Sequence, residues 1–260
     1  MTAHQAMYTR SVAGSAFYKL GQMAGVQVRK AKWIWQSFAG SEADAIQAER
    51  SVGRDMAAAL LEETPRDSDQ TTQALLDEVG ERLTAVLRNR LHRFQMTSVK
   101  VDRPTAFALP GGFIFVARAL VHLCDRHRDE VAFVLAHEMA HVIRRHAIDR
   151  LLKQKVVSAA ALVSPGRGAL ALWLRQVGLQ WLERAYSRED EFEADELGLL
   201  LMRAAGFDPA GAIRVLQRLG ELDRSPDPLG LGPYLSTHPP IEHRVVRLRV
   251  LADKKHKKKG

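Results

Sequence analysis

Little in this 260-residue chain crosslinks it, and no long apolar stretch anchors it. There is one cysteine, Cys124. An intramolecular disulfide framework is therefore excluded, and the thiol reads most simply as a small core residue in a reduced compartment. No run of eighteen uninterrupted apolar residues occurs, so no stretch reads as a membrane-spanning helix. The nearest approaches, 156–163 and 169–182, are separated or interrupted by Pro165, Arg167 and Arg175 and are expected to be buried helices. The N-terminal residues lack a compact apolar region followed by a small-residue cleavage site, so no secretory signal is expected.

Acid is missing from residues 1–41, which hold Arg10, Lys19, Arg29, Lys30 and Lys32. The tail Lys254-Lys255-His256-Lys257-Lys258-Lys259 adds five lysines. Those ten charges exceed the net +8 of the whole chain, which leaves 42–253 close to neutral. The basic balance therefore says little about a substrate. No nucleic-acid recognition motif accompanies it, and no specific nucleic-acid partner is expected. The tail reads as a disordered, solvated end. The N-terminal segment, with Trp33-Ile34-Trp35 and Phe38 among its basic residues, is open to three readings. It can lie on a membrane surface, act as an organellar targeting sequence, or pack as an arm on its own domain or on a partner subunit. The expected location is cytoplasmic, with peripheral membrane contact or organellar targeting through this segment as the alternatives. No feature of the sequence sets an oligomeric state.

What is present is concentrated in residues 137–141, His-Glu-Met-Ala-His. Histidines four apart on a helix project from one face, one turn above the other, so both imidazoles can bind a single ion. Glu138 follows the first of them, where it reaches a water on the ion rather than the ion itself. The pentapeptide alone is a weak signal, and its setting strengthens it. A charged stretch, 125–130, can open a helix, and Val131, Val134, Leu135, Met139, Val142 and Ile143 then recur at three- and four-residue spacing, the stripe of a buried helix.

A catalytic zinc site takes three protein ligands and an open position. Candidates for the third are His146, His122, His127, Cys124 and the acidic cluster at 189–196. His146 lies five residues beyond His141, which on a continuing helix turns it away from the ligand face. In the cluster, Glu191 and Asp195 are four apart. One carboxylate can bind the ion while the other orients a ligand imidazole. A run of acids more commonly marks a solvated helix face. Here Phe192 and Ala194 interrupt it and Leu197, Leu199, Leu200 and Leu201 follow, as in a helix entering a core.

Five separated pieces stand in a familiar order: Ala106-Phe107-Ala108-Leu109-Pro110-Gly111-Gly112-Phe113-Ile114-Phe115-Val116; His137-Glu138-Met139-Ala140-His141 with Arg145-His146; Ser187-Arg188 with Glu191 and Ala194-Asp195; Ala205-Gly206-Phe207-Asp208-Pro209; and Ser236-Thr237-His238-Pro239-Pro240 with Arg244 beyond. Over about 73–250 the chain resembles the HtpX-like and CAAX-prenyl-protease-related family of zinc metallopeptidases, the type with a distant glutamate ligand. The family often has Asn where Thr105 stands. The resemblance implies one Zn²⁺ per chain bound by His137, His141 and Glu191, Glu138 as general base, and Asp195 orienting a ligand. It places His238 near the metal, to stabilise an oxyanion or fill the open position at rest. Arg244 is expected to position or polarise substrate, or to form a structural ion pair.

The expected fold is α+β and predominantly helical: a zincin-like metallopeptidase domain over 42–252 with a small β-sheet beside the active-site helix, between the basic extension 1–41 and the lysine-rich tail 253–260. Helices are expected over 42–63, 73–93, 117–123, 128–152, 155–163, 168–186, 188–205, 209–221 and 239–252, strands over 94–101 and 106–116 with a turn at Pro110-Gly111-Gly112, and a loop over 226–233. An extended peptide can pair with an exposed strand beside the cleft, expected at 113–116 or its neighbour. The implied activity is a zinc endopeptidase acting on unfolded or membrane-associated proteins. The alternatives are a zinc exopeptidase, or a latent metal-binding module whose open position His238 fills.

Overall fold

The computed structural model describes residues 41–146, 186–224 and 241–253. The segment 1–40, the helix expected over 155–163, all but the last residue of that expected over 168–186, the 226–233 loop, His238 and the lysine tail lie outside the described residues. The described chain is mostly helical, with one three-stranded sheet.

Helix α1, Glu42–Glu63, starts where Ser41 and Asp44 cap each other's backbone N–H groups. Its buried residues Ala45, Ile46, Glu49, Gly53, Met56 and Ala57 form one stripe. Helix α2 is Gln70–Ala85, displaced from the expected 73–93. It begins early because the Asp69 carboxylate accepts from the N–H groups of Thr71 and Thr72. It ends early because the chain turns at Val86, and Asn89 then accepts locally from Leu91 N–H at 2.9 Å while its amide donates across to Glu42 of α1 at 3.0 Å. Asparagine that satisfies nearby backbone competes with helix. Leu87 still packs on the core from outside the helix, which is why the apolar period runs on.

Strands β1 (Gln95–Val99), β2 (Ala106–Leu109) and β3 (Phe113–Ala117) form a sheet of order β1-β3-β2, with β1 parallel and β2 antiparallel to β3. Gly111 and Gly112, at φ 75° and 92°, make the turn between β2 and β3, in the region that glycine enters freely. Residues 113–116 are therefore the middle of the sheet and not an edge. The outer edge of β1 is already covered. Asp67 N–H donates to Ser98 O, Lys100 N–H to Pro65 O, and the Gln73 amide bonds both Ser98 N–H and Met96 O. The outer edge of β2 carries no strand among the described residues. Ala117 N–H donates to Thr105 O. In an antiparallel ladder bonded pairs alternate, so Ala106 and Ala108 turn their N–H and C=O groups to that side. Both residues are at most 2% exposed, so this margin is covered too, and the expected exposed strand for a peptide is not found among the described residues.

Beyond the sheet come α3 (Arg118–Leu123), α4 (Arg128–Ile143), α5 (Arg188–Ala204), α6 (Ala210–Arg224) and α7 (Ile241–Asp253). Every residue of α4 from Glu130 to Val142 is buried. It runs through the middle of the domain, against α2, α5, α6 and β2. The approach of α5 is close enough that a Cβ at Gly198 would lie 3.2 Å from His137 N. Helix α4 stops at Ile143, inside the expected 128–152, because Arg145 takes φ 61°; residues 147–152 of that expectation lie outside the described residues. No described helix is long and apolar enough to cross a membrane.

Cys124 is fully buried, and burial, then the neighbouring Glu130 carboxylate, pushes its thiol up to about 12. A thiol rather than a thiolate is unreactive. The native protein should therefore leave an aromatic disulfide reagent unreacted at neutral pH and consume one equivalent after denaturation, read by absorbance. Rapid reaction of the folded protein would contradict this burial.

Candidate metal centre

The pitch of α4 brings His137 Nε2 and His141 Nε2 to 3.1 Å from each other. The third donor comes from α5. Ser187 caps that helix, its side chain accepting from Asp190 N–H while the Asp190 carboxylate accepts from Ser187 N–H. This fixed start puts Glu191 in the first turn and Asp195 one turn on. Glu191 Oε1 lies 3.4 Å from His141 Nε2, and Oε2 lies 3.6 Å from His137 Nε2. A tetrahedral ion with bonds of about 2.0–2.1 Å separates its ligand atoms by about 3.3–3.4 Å. The His137–His141 and His141–Glu191 Oε1 separations lie near that value, with the second carboxylate oxygen beside His137. Two imidazoles and a carboxylate, all buried, fit a divalent cation.

The remaining atoms of these side chains are also engaged. His137 Nδ1 is 3.0 Å from Asp195 Oδ1, so its N–H donates to the carboxylate and Nε2 keeps its lone pair. Arg244, from α7 and 1% exposed, grips Asp195 with Nε and a terminal nitrogen at 2.9 and 2.7 Å. Its other terminal nitrogen is 2.8 Å from Glu191 Oε2. Burial pushes the Asp195 carboxyl up, but Arg244 and then His137 outweigh it and hold it below the usual carboxylate range. Glu138, Glu191 and Asp195 are each at most 1% exposed. Two of these buried carboxylates, Glu191 and Asp195, share the guanidinium of Arg244. Removing Arg244 would cost on the order of 3–5 kcal/mol, because it strands buried charge.

Glu138 and His137 border a narrow cavity walled by Phe133, Val215 and Leu216, an apolar setting that strengthens charge interactions. Of the residues expected at the site, His137, Glu138, His141, Glu191, Asp195 and Arg244 come together. His122 and His127 do not belong to the cluster, and His238 is outside the described residues. Two neighbours were not expected. Tyr186 stacks on the His141 ring at 3.9 Å, and only its place just before Ser187-Arg188 could have marked it. His146 does not turn away. The left-handed residue Arg145 folds the chain back, so that His146 Nδ1 sits 2.9 Å from His141 Nδ1.

That contact sets a protonation state. If His141 binds an ion through Nε2, its Nδ1–H must donate, and His146 must accept as a neutral ring. Burial pulls His146 below its usual 6.5, against Asp190 and Glu193 near its other nitrogen. A depressed folded value means that the unfolded chain binds more protons just below about pH 6.5, so stability there rises with pH. The contribution is whole above about 6.5 and is lost as pH falls through the folded value. Urea titrations of metal-free protein from about pH 5 to about pH 7 should show a steeper rise for the wild type than for His146→Ala. Equal slopes would mean that the ring is not held neutral.

Known proteins resemble this chain across the same residues. The model for Peptidase family M48 matches residues 70–252, a span that contains every described residue of the centre. Mitochondrial metalloendopeptidase OMA1 of Schizosaccharomyces pombe is 31% identical over 182 residues, 68% of this chain and 52% of that protein. OMA1 of Saccharomyces cerevisiae is 36% identical over 146 residues, 55% of this chain and 41% of that protein. The beta-barrel assembly-enhancing protease of Escherichia coli K12 is 27% identical over 197 residues, 71% and 40% respectively. The chain thus spans about half, or less, of the length of these curated relatives. Their names agree with the motif resemblance, and with residues 70–252 under one family description the chain belongs to peptidase family M48.

Proposed function

We propose that the chain is a zinc-dependent metalloendopeptidase that cleaves unfolded or membrane-associated proteins. The observation that carries this reading is the buried His137–His141–Glu191 donor set with Glu138 on the same helix turn. Two imidazoles and a carboxylate are a donor set that suits zinc. When bound by these three residues, zinc supplies a Lewis acid that polarises a carbonyl and brings the pKa of water to about 7.

The chain's own groups do the rest. Glu138 accepts a proton from water as the water oxygen adds to the scissile carbonyl carbon. It returns that proton to the amide nitrogen as the carbon–nitrogen bond breaks. Asp195 holds the His137 tautomer, and Arg244 holds Asp195 and Glu191. His238 is the proposed donor to the oxyanion. The printed names of the relatives, a metalloendopeptidase and a beta-barrel assembly-enhancing protease, support a protein substrate. Peripheral membrane contact through the basic segment 1–41 belongs to the same proposal, and the mitochondrial relatives support its organellar variant over a purely cytoplasmic one.

Zinc-loaded wild type should degrade unfolded casein, and Glu138→Gln, with equal zinc content, should be slower by about 10²-fold or more. A chelator should stop the wild type, and zinc should restore it. Equal cleavage by Glu138→Gln would remove Glu138 as the base. Internally quenched peptides with both ends blocked should be cut, which an exopeptidase cannot do.

A further inference from the structure

Helix α1 precedes the family-matched span, which begins at residue 70, yet it reaches the metal centre. Its inner face carries Glu49, 2% exposed, whose carboxylate is 2.7 Å from Arg145 Nε. Arg145 is the left-handed residue that ends α4. Glycine is at ease in that conformation and arginine resists it, so the guanidinium must supply what a glycine could not. The residue after it is His146, 5% exposed, with Nδ1 2.9 Å from His141 Nδ1. On an uninterrupted helix His146 would face about 140° away from His141. The turn alone brings it back.

Helix α1 is itself firmly seated. Arg50 donates to Arg93 O and Gly111 O at 2.6 and 2.8 Å. Gly53 lies so close to the β2–β3 turn that a Cβ there would come within 1.7 Å of Pro110 O. Glu49 is thus presented from a helix locked to the sheet.

We propose that α1 braces the metal centre, with Glu49 and Arg145 as positioning residues that hold His146 against His141. The proposal rests on the metal-centre reading above. The route runs from the sheet turn through α1 to Glu49, across the ion pair to Arg145, and through one peptide to the ring that orients a ligand. Partners that orient a ligand imidazole are typically worth about 10–100-fold in metal affinity.

The test uses the full chain, with zinc affinity read by competition against a chromophoric chelator and ligand geometry read from the visible spectrum of the cobalt-loaded protein. Glu49→Ala should weaken zinc binding about tenfold and shift the cobalt bands. Arg145→Gly should do the same although glycine favours the turn, and it keeps the test open should Glu49→Ala fold poorly. Glu49→Ala/His146→Ala should bind no more weakly than His146→Ala alone, because Glu49 acts through His146. Wild-type affinity in Glu49→Ala and Arg145→Gly would overturn the brace and leave the metal-centre reading intact. So would additive losses in the double variant, or a lower melting temperature with unchanged cobalt bands. A wild type that binds neither ion would bring down the metal-centre reading, and the brace with it.

Discussion

Charge buried in a helical interior is the constraint on which the domain turns. Asp195 and Glu191 from α5, Arg244 from α7 and the two histidines of α4 come from separated parts of the chain. They meet in a region that excludes water. There each charge interaction is stronger than at a surface, and an incomplete set is costly. Helices α4, α5 and α7 must therefore dock with little tolerance. The missing side chain at Gly198 lets α5 lie directly on the His137 backbone.

Both ends of α4 are tied by ion pairs rather than by apolar contact alone. At its start Glu130, 1% exposed, is met by Arg214 at 3.2 Å and Arg218 at 3.0 Å, both from α6. At its end Arg145 meets Glu49 of α1. Exposed pairs of this kind contribute little, but here each carboxylate is buried, so the partner arginine is required. A helix pinned at both ends cannot slide along its axis, and its two ligand nitrogens keep their height relative to Glu191.

Much of this was legible in the sequence, for identifiable reasons. The apolar spacing along 131–143 located the central helix, and the acidic run broken by Phe192 and Ala194 and followed by leucines located the helix that carries Glu191. Glycines 111 and 112 located the turn between strands. The misjudgements share one cause, which is that local backbone chemistry overrode a longer period. The stripe through Leu87 and Leu91 predicted a helix to 93, but a turn and Asn89 end it at Ala85. Extending the helix past Ile143 sent His146 to the wrong side, because nothing in Arg-Arg-His announces a left-handed arginine. Strand order was beyond reach as well. The parallel pairing of β1 with β3 joins segments separated by β2, and no short-range pattern encodes it.

Both margins of the sheet are closed, and this has a consequence for how the domain meets other chains. The β1 side is occupied by the chain's own 65–67 segment and by Gln73. On the β2 side Ala106 and Ala108 are buried beside α4. Neither margin offers bare ladder groups to a stray strand, so the sheet is not a template for edge-to-edge pairing. It serves instead as a fixed backing for the helix that carries both histidines.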